Sequence, residues 1–156
     1  MSRLASTFDG LRREGRAGLV TYITAGDPTP AVSRDVLRAI AAAGADVLEV
    51  GVPFSDPIAD GPAIQRATER ALAAGGNLSV TLDMIASVRA EIAAPIVLFT
   101  YVNPVFQLGV EAFVERVAQA GVDGVLLLDL PIEESADMCA QLGARGIDQI
   151  FLISPT

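Results

Sequence analysis

Residues 48–65 read LEVGVPFSDPIADGPAIQ. An apolar run of strand type carries one carboxylate, Glu49, in its middle, then breaks into a loop punctuated by Pro53, Pro57 and Pro62. Alternate side chains of a strand point to opposite faces, so Val47, Glu49 and Gly51 share one side and Leu48, Val50 and Val52 the other. Apart from Glu49 both faces are apolar, the pattern of a parallel strand covered on both sides. A carboxylate in such a strand has two destinations. In the layer of covering helices it is expensive without a partner; near the C-terminal mouth of a barrel it meets a ligand. The competing reading pairs Glu49 with an arginine such as Arg66 or Arg70.

Four further runs have the same character: LVTYIT from Leu19, IVLFTY from Ile96, GVLLLDL from Gly124 and IFLIS from Ile150. Helical periodicity over 31–43, 63–74, about 78–92, 111–119 and 133–144 separates them, and the alternation predicts an α/β fold. AGAD, AGVD and RGID precede three of the strands, with Gly44, Gly121 and Gly146 read as helix C-caps of a repeated unit. Strand starts lie roughly 26 to 28 residues apart, except that the second and third are separated by nearly twice that, which the extra helix about 78–92 fills. An N-terminal helix over 3–14 carries Leu4, Phe8 and Leu11 on one stripe, able to plug one end of a barrel or pack on its side.

Five units leave two architectures: a five-stranded doubly wound sheet, or the first five strands of a (β/α)8 TIM barrel, which needs about 250 residues. No strand is followed by a GxGxxG or Walker sequence, so a nucleotide fold lacks its phosphate loop. The sequence stops at 154–156, directly after a buried-type strand with no covering helix. The expectation is an incomplete single (β/α)8-barrel domain over 1–156, truncated after about the fifth strand.

Composition narrows the function. The chain has 156 residues, 51% hydrophobic content and a formal charge of −8, which supplies a core and repels phosphate backbones. No nucleic-acid partner is therefore expected. The N-terminal residues are polar and periodic rather than a short basic stretch followed by an apolar block, and every apolar run is broken well short of the roughly 20 residues that span a bilayer, so the expectation is a soluble cytoplasmic protein with no signal peptide and no membrane partner. The single cysteine, Cys139, has neither a second thiol nor any histidine with which to build a zinc site, and it reads as a small apolar filler. The absence of histidine excludes Ser-His-Asp and Cys-His chemistry. There is no lysine either, so acid–base work falls to carboxylates or tyrosine.

Asp56 and Asp60 sit on the loop after Glu49, where aspartate is ordinary turn chemistry. Glu49 and Asp60 together are more specific: an acid in an apolar lumen holds its proton near neutrality, while one at a wetter loop stays ionised and stabilises positive charge. Polar residues recur at other strand ends, Thr24 with Asp27, Tyr101 with Asn103, and Asp129 before Pro131, as the active face of a barrel requires.

LEVGVPFSDPIADGPAIQRA resembles the signature of the tryptophan synthase alpha chain family. The likeness continues in TYITAGDP at 21–28, FTYVNPVFQLG at 99–109 and DGVLLLDLPIEES at 123–135. The resemblance implies a (β/α)8-barrel lyase that cleaves indole-3-glycerol phosphate to indole and glyceraldehyde 3-phosphate in tryptophan biosynthesis, with no metal and no cofactor in this chain. It implies that Glu49 is the general acid–base and that Asp60 holds the indole N–H. Tyr22, where many relatives have phenylalanine, would line the substrate pocket with Phe99, Tyr101, Leu126 and Asp129. It further implies that Pro53, Asp56, Pro57, Asn103 and Pro131 dock on a beta chain, which carries pyridoxal phosphate, in a cytoplasmic alpha2-beta2 assembly.

The departure is length. Family members continue through three further strands whose loops hold the substrate phosphate, so the 156-residue piece is expected to have at most trace activity and to expose an open sheet edge after 150–154. Two rivals remain: another phosphate-sugar barrel, of which an aldolase would need a lysine absent here, and a non-catalytic subunit that only binds and activates a beta chain.

Overall fold

The computed structural model describes residues 1–153. Its five strands, β1 Val20–Thr24, β2 Val47–Gly51, β3 Ile96–Thr100, β4 Gly124–Leu127 and β5 Asp148–Ile150, lie side by side in chain order, every neighbour parallel. This order decides between the two architectures. A doubly wound sheet reverses strand order at a switch point, whereas a barrel wall adds each strand beside the last. The chain therefore forms the first five units of a (β/α)8 barrel, with β1 and β5 as its open edges.

The helices are α1 Arg3–Glu14, α2 Pro30–Ala42, α3 Pro62–Ala73, α4 Leu78–Val88, α5 Val102–Leu108, α6 Val110–Ala120 and α7 Ala136–Gly143. Their starts follow local chemistry. Ser2, Thr29 and Asn77 each accept a backbone N–H of the first turn, and Pro30 and Pro62 occupy early positions where no amide hydrogen is needed. Gly121 ends α6 at φ 74, a left-handed conformation that a side chain would strain. Gly44 and Gly146 also have positive φ but lie one or more residues beyond the last helical turn.

Burial divides into two clusters, one on each face of the sheet. Leu48, Val50, Ile96, Leu98, Val125 and Leu127 face the helices and meet Leu37, Ile85, Phe113 and Leu142. Each of these side chains contributes roughly 1.5–3 kcal/mol of apolar burial. The concave face carries Val47, Val97 and Leu126, closed from below by Leu4 of α1, with Phe99, Leu128 and Ile150 packed against them. Gly124 leaves room for that plug, since a Cβ there would lie 2.7 Å from Leu4 Cδ1. Phe8, on the same stripe as Leu4, remains 45% exposed.

Four elements depart from the sequence-based expectation. The fifth strand is Asp148–Ile150 rather than the apolar run from Ile150, and Phe151, Leu152 and Ile153 follow outside it, because β4 sets it: Gly124 pairs with Asp148, whose N–H donates to Asp123 O at 3.0 Å. The expected strand's last residue, Ser154, lies outside the described residues. The stretch about 78–92 is α4 followed by a 3-10 turn at Arg89–Glu91, with Ile92 extended. The stretch 133–144 is a 3-10 turn at Ile132–Glu134 followed by α7, and α5 fills what reads as a loop around Asn103. Cys139 sits half-buried on α7 and its thiol donates to Gln149 Oε1 at 3.0 Å.

Candidate active site

The register of β2 settles where Glu49 points. Glu49 pairs with Tyr22 on β1 and Val97 on β3, and Val97 belongs to the concave cluster with Val47 and Leu126. Glu49 therefore faces the lumen. Among the described residues it forms no ion pair. Arg70, one of the two arginines that could have claimed it, holds Asp27 instead in a bidentate pair at 2.7 and 2.8 Å. With only burial acting on it, the Glu49 carboxyl is pushed above the ordinary glutamate range.

The loop between β2 and α3 brings a second acid to the same end of the strands. It folds on itself, with Ile58 N donating to Asp56 O at 2.9 Å and Asp60 N to Pro57 O at 3.1 Å. Gln65 Nε2 donates to Asp60 O at 2.9 Å. Burial raises the proton affinity of Asp60, and the neighbouring Tyr101 hydroxyl partly offsets this. The charges of Asp60 and Glu49 both act on the Tyr22 phenol, whose pKa is raised chiefly by its own burial. One phenol thus lies within the field of both carboxylates.

Tyr22 is placed by a residue that sequence patterning did not mark. A Cβ on Gly51 would fall 2.0 Å from the Tyr22 hydroxyl oxygen, so the ring lies across the strand where Gly51 has no side chain. From there it meets Phe99 edge-on, ring centres 5.6 Å apart at 84°. Phe99 is in register with Leu126, and Tyr22, Phe99 and Leu126 line one wall of the lumen above Glu49. Thr24, on the same face and next in the β1 row, is buried beside it.

Tyr101 and Asp129 stand at the rim. Tyr101 is buried, its ring 5.1 Å from Phe54. Asp129 is exposed and accepts the first amide of α5, Val102 N, at 2.7 Å, so one of its oxygens holds a helix start. Of the expected docking residues, Pro53, Asp56 and Asn103 line one open cleft of about 650 Å³ between the β2–α3 loop and α5. Pro53 is itself buried, its ring against Gly76. Pro57 borders an adjoining hollow with Asp56, and Pro131 lies apart beside Phe151 and Leu152. Two exposed apolar side chains, Ile58 and Phe106, stand on the same loop and helix; they were missed because isolated apolar residues in loop-like sequence carry no periodic signal. Among the described residues no group of three acids or thiols is placed to hold a metal, and no single helix is long and apolar enough to cross a membrane.

Parallel strands in sequential order, with side chains of differing polarity converging at their carboxyl ends, define part of a (β/α)8-barrel protein whose site opens at the C-terminal mouth. Comparison with known proteins narrows this. The family model described as "Tryptophan synthase alpha chain" matches residues 8–156. A tryptophan synthase alpha chain from Burkholderia mallei is 52% identical over 157 residues, covering 100% of this chain and 58% of that relative, and one from Ralstonia nicotianae is 50% identical, covering 59% of its length. The crystal structure of tryptophan synthase subunit alpha from Legionella pneumophila superposes with a TM-score of 0.96 at 41% identity, over 100% of this chain and 60% of that one. The open form of tryptophan synthase from M. tuberculosis gives 0.95 at 38% identity, covering 62% of that chain. The chain belongs to the tryptophan synthase alpha chain family and spans about three-fifths of the length of these relatives.

Proposed function

We propose that this chain carries the acid pair of an indole-3-glycerol phosphate lyase, releasing indole and glyceraldehyde 3-phosphate by retro-aldol cleavage. The observation that supports this most is Glu49: a carboxyl without an ion-pair partner on the lumen face, among Val47, Val97, Tyr22 and Phe99, with its proton affinity raised by burial. In the proposed step, protonated Glu49 gives its proton to the ring carbon that bears the glycerol chain. The ring nitrogen becomes cationic, and Asp60, as the carboxylate, accepts its N–H and balances the charge. Glu49 then takes the proton of the adjacent glycerol hydroxyl, the carbon–carbon bond breaks, its electrons return to the ring, and the oxygen becomes the aldehyde. Glu49 ends as it began, so the chemistry requires no metal or cofactor in this chain. Tyr22, Phe99 and Leu126 supply the apolar wall for the indole ring.

The cleft bordered by Pro53, Asp56 and Asn103, with exposed Ile58 and Phe106 nearby, is the proposed docking face for a beta chain, and pyridoxal phosphate belongs to that partner. A chain with net charge −8 and no lysine offers little hold on a phosphate, so the 156 residues alone are expected to turn over at trace rate. The test is indole release from indole-3-glycerol phosphate with and without a beta chain, for the native sequence and Glu49→Gln. The expected result is slow release that disappears in E49Q while docking persists. Indifference of release to E49Q would leave a subunit that only binds its partner.

A further inference from the structure

We propose that Tyr101 is the positioning residue for Asp60, its hydroxyl fixing the loop that carries this carboxylate through the amide of Ala59. The inference rests on the reading of Asp60 as the acid that faces the ligand. The Tyr101 hydroxyl oxygen accepts the Ala59 N–H at 3.2 Å, across 42 residues of sequence. A phenol keeps one O–H to give when its oxygen accepts an amide, and Asp60 follows Ala59 directly in the chain. The neighbouring Tyr101 hydroxyl acts to lower the proton affinity of Asp60, against the larger effect of burial.

Tyr101 is itself held at its ring and at its backbone. Its ring packs on Phe54 of the same loop, tilted by 35°. Its backbone is the N-cap of α5, where Asp129 Oδ1 fixes the next amide, Val102 N, at 2.7 Å. Burial, followed by the charges of Asp60 and Asp129, keeps its own pKa above the ordinary tyrosine value, so it remains a donor throughout the working pH range. The charged groups that bear on this corner are thus Asp60 from the β2–α3 loop and Asp129 from the end of β4; Glu49 of β2 and Asp60 both act on Tyr22 of β1. Tyr101 thereby connects the proposed catalytic loop to α5, the helix that carries Asn103 on the candidate docking cleft.

Tyr101→Phe tests this in the 156-residue chain, because it keeps the ring against Phe54 and deletes only the hydroxyl. The Asp60 carboxyl carbon is titrated by NMR and amide exchange is followed at Ala59. The expected result is an upward move of the Asp60 midpoint with an exchange rate at Ala59 higher by about fivefold, the loss of one hydrogen bond. A purely structural tyrosine predicts the opposite pattern: Y101F silent in both readouts, and Tyr101→Leu, which loses ring and hydroxyl together, loosening the loop. That outcome would overturn the proposal. Failure of indole to perturb the Glu49 and Asp60 signals of the native sequence would instead overturn the functional reading, and the Y101F titration would still decide the link between the two residues.

Discussion

Gly51→Ala is the smallest change that probes how the lumen is built. Gly51 does not have a positive φ, so the backbone accepts a side chain there, and alanine in place of glycine would by itself stabilise by about 0.4–1 kcal/mol through the unfolded chain. The space does not accept it. The new Cβ would lie 2.0 Å from the Tyr22 hydroxyl oxygen, 2.5 Å from Cζ and 2.8 Å from Cε2. Restoring ordinary contact of about 3.5 Å requires the ring to retreat by roughly 1.5 Å, away from its edge contact with Phe99 and into the space above Glu49. Overpacking of this kind costs about 1–3 kcal/mol, and weakening the aromatic pair adds up to about 0.5–1.5 kcal/mol. The net expectation is a loss of about 1–3 kcal/mol, read as a lower urea midpoint at unchanged slope. In a Tyr22→Ala background the obstruction is gone, and the same substitution is expected to be neutral or slightly stabilising. Equal losses in both backgrounds, or no loss in the native one, would refute the placement of Tyr22 over Gly51.

Glu49 and Asp46 make stability depend on pH with opposite signs. The folded state raises the Glu49 pKa above its value of 4.5 in the free side chain, so the penalty is absent while both states are protonated and grows as pH climbs from 4.5 through the folded value. Glu49→Gln removes it: relative to the parent, the variant should be more stable at pH 7 than at pH 3, measured by urea melts at both, and a flat or inverted difference would contradict the burial of this acid. Asp46 has the opposite sign, since the Arg16 guanidinium and the Leu19 amide hold its pKa at about 2 against 3.8. Its contribution is present above 3.8 and lost as pH falls through about 2, so Asp46→Asn should destabilise at neutral pH and converge with the parent in strong acid; a gap that persists there would mean the three hydrogen bonds from Arg16 and Leu19 are not the cause.

The architecture was legible because its signals are local. Strands buried on both faces announce themselves as unbroken apolar runs, as β3 and β4 do, and a single carboxylate inside such a run stands out. The unread parts depend on pairing. β5 contains Asp148 and Gln149 and is held in place by the β4 backbone rather than by its own hydrophobicity. α5 follows its strand after one residue, contains Pro104 and is capped by no side chain of its own N-cap residue, Tyr101, but by distant Asp129, so nothing in its seven residues predicts a helix. Within the site, Glu49 could be singled out from alternation alone, but which face it takes is a matter of register. The roles of Gly51 and Tyr101 arise from contacts with residues 29 and 42 positions away, which no spacing rule reports.

The central claim is that a glutamic acid in an apolar half-lumen keeps its proton where a ligand's aromatic ring would lie. Carbon-13 titration of the Glu49 carboxyl, with and without saturating indole, tests it directly. The predicted result is a midpoint above 4.5 that moves further when indole fills the lumen and displaces water. A midpoint at or below the ordinary glutamate value, or one indifferent to indole, would contradict it.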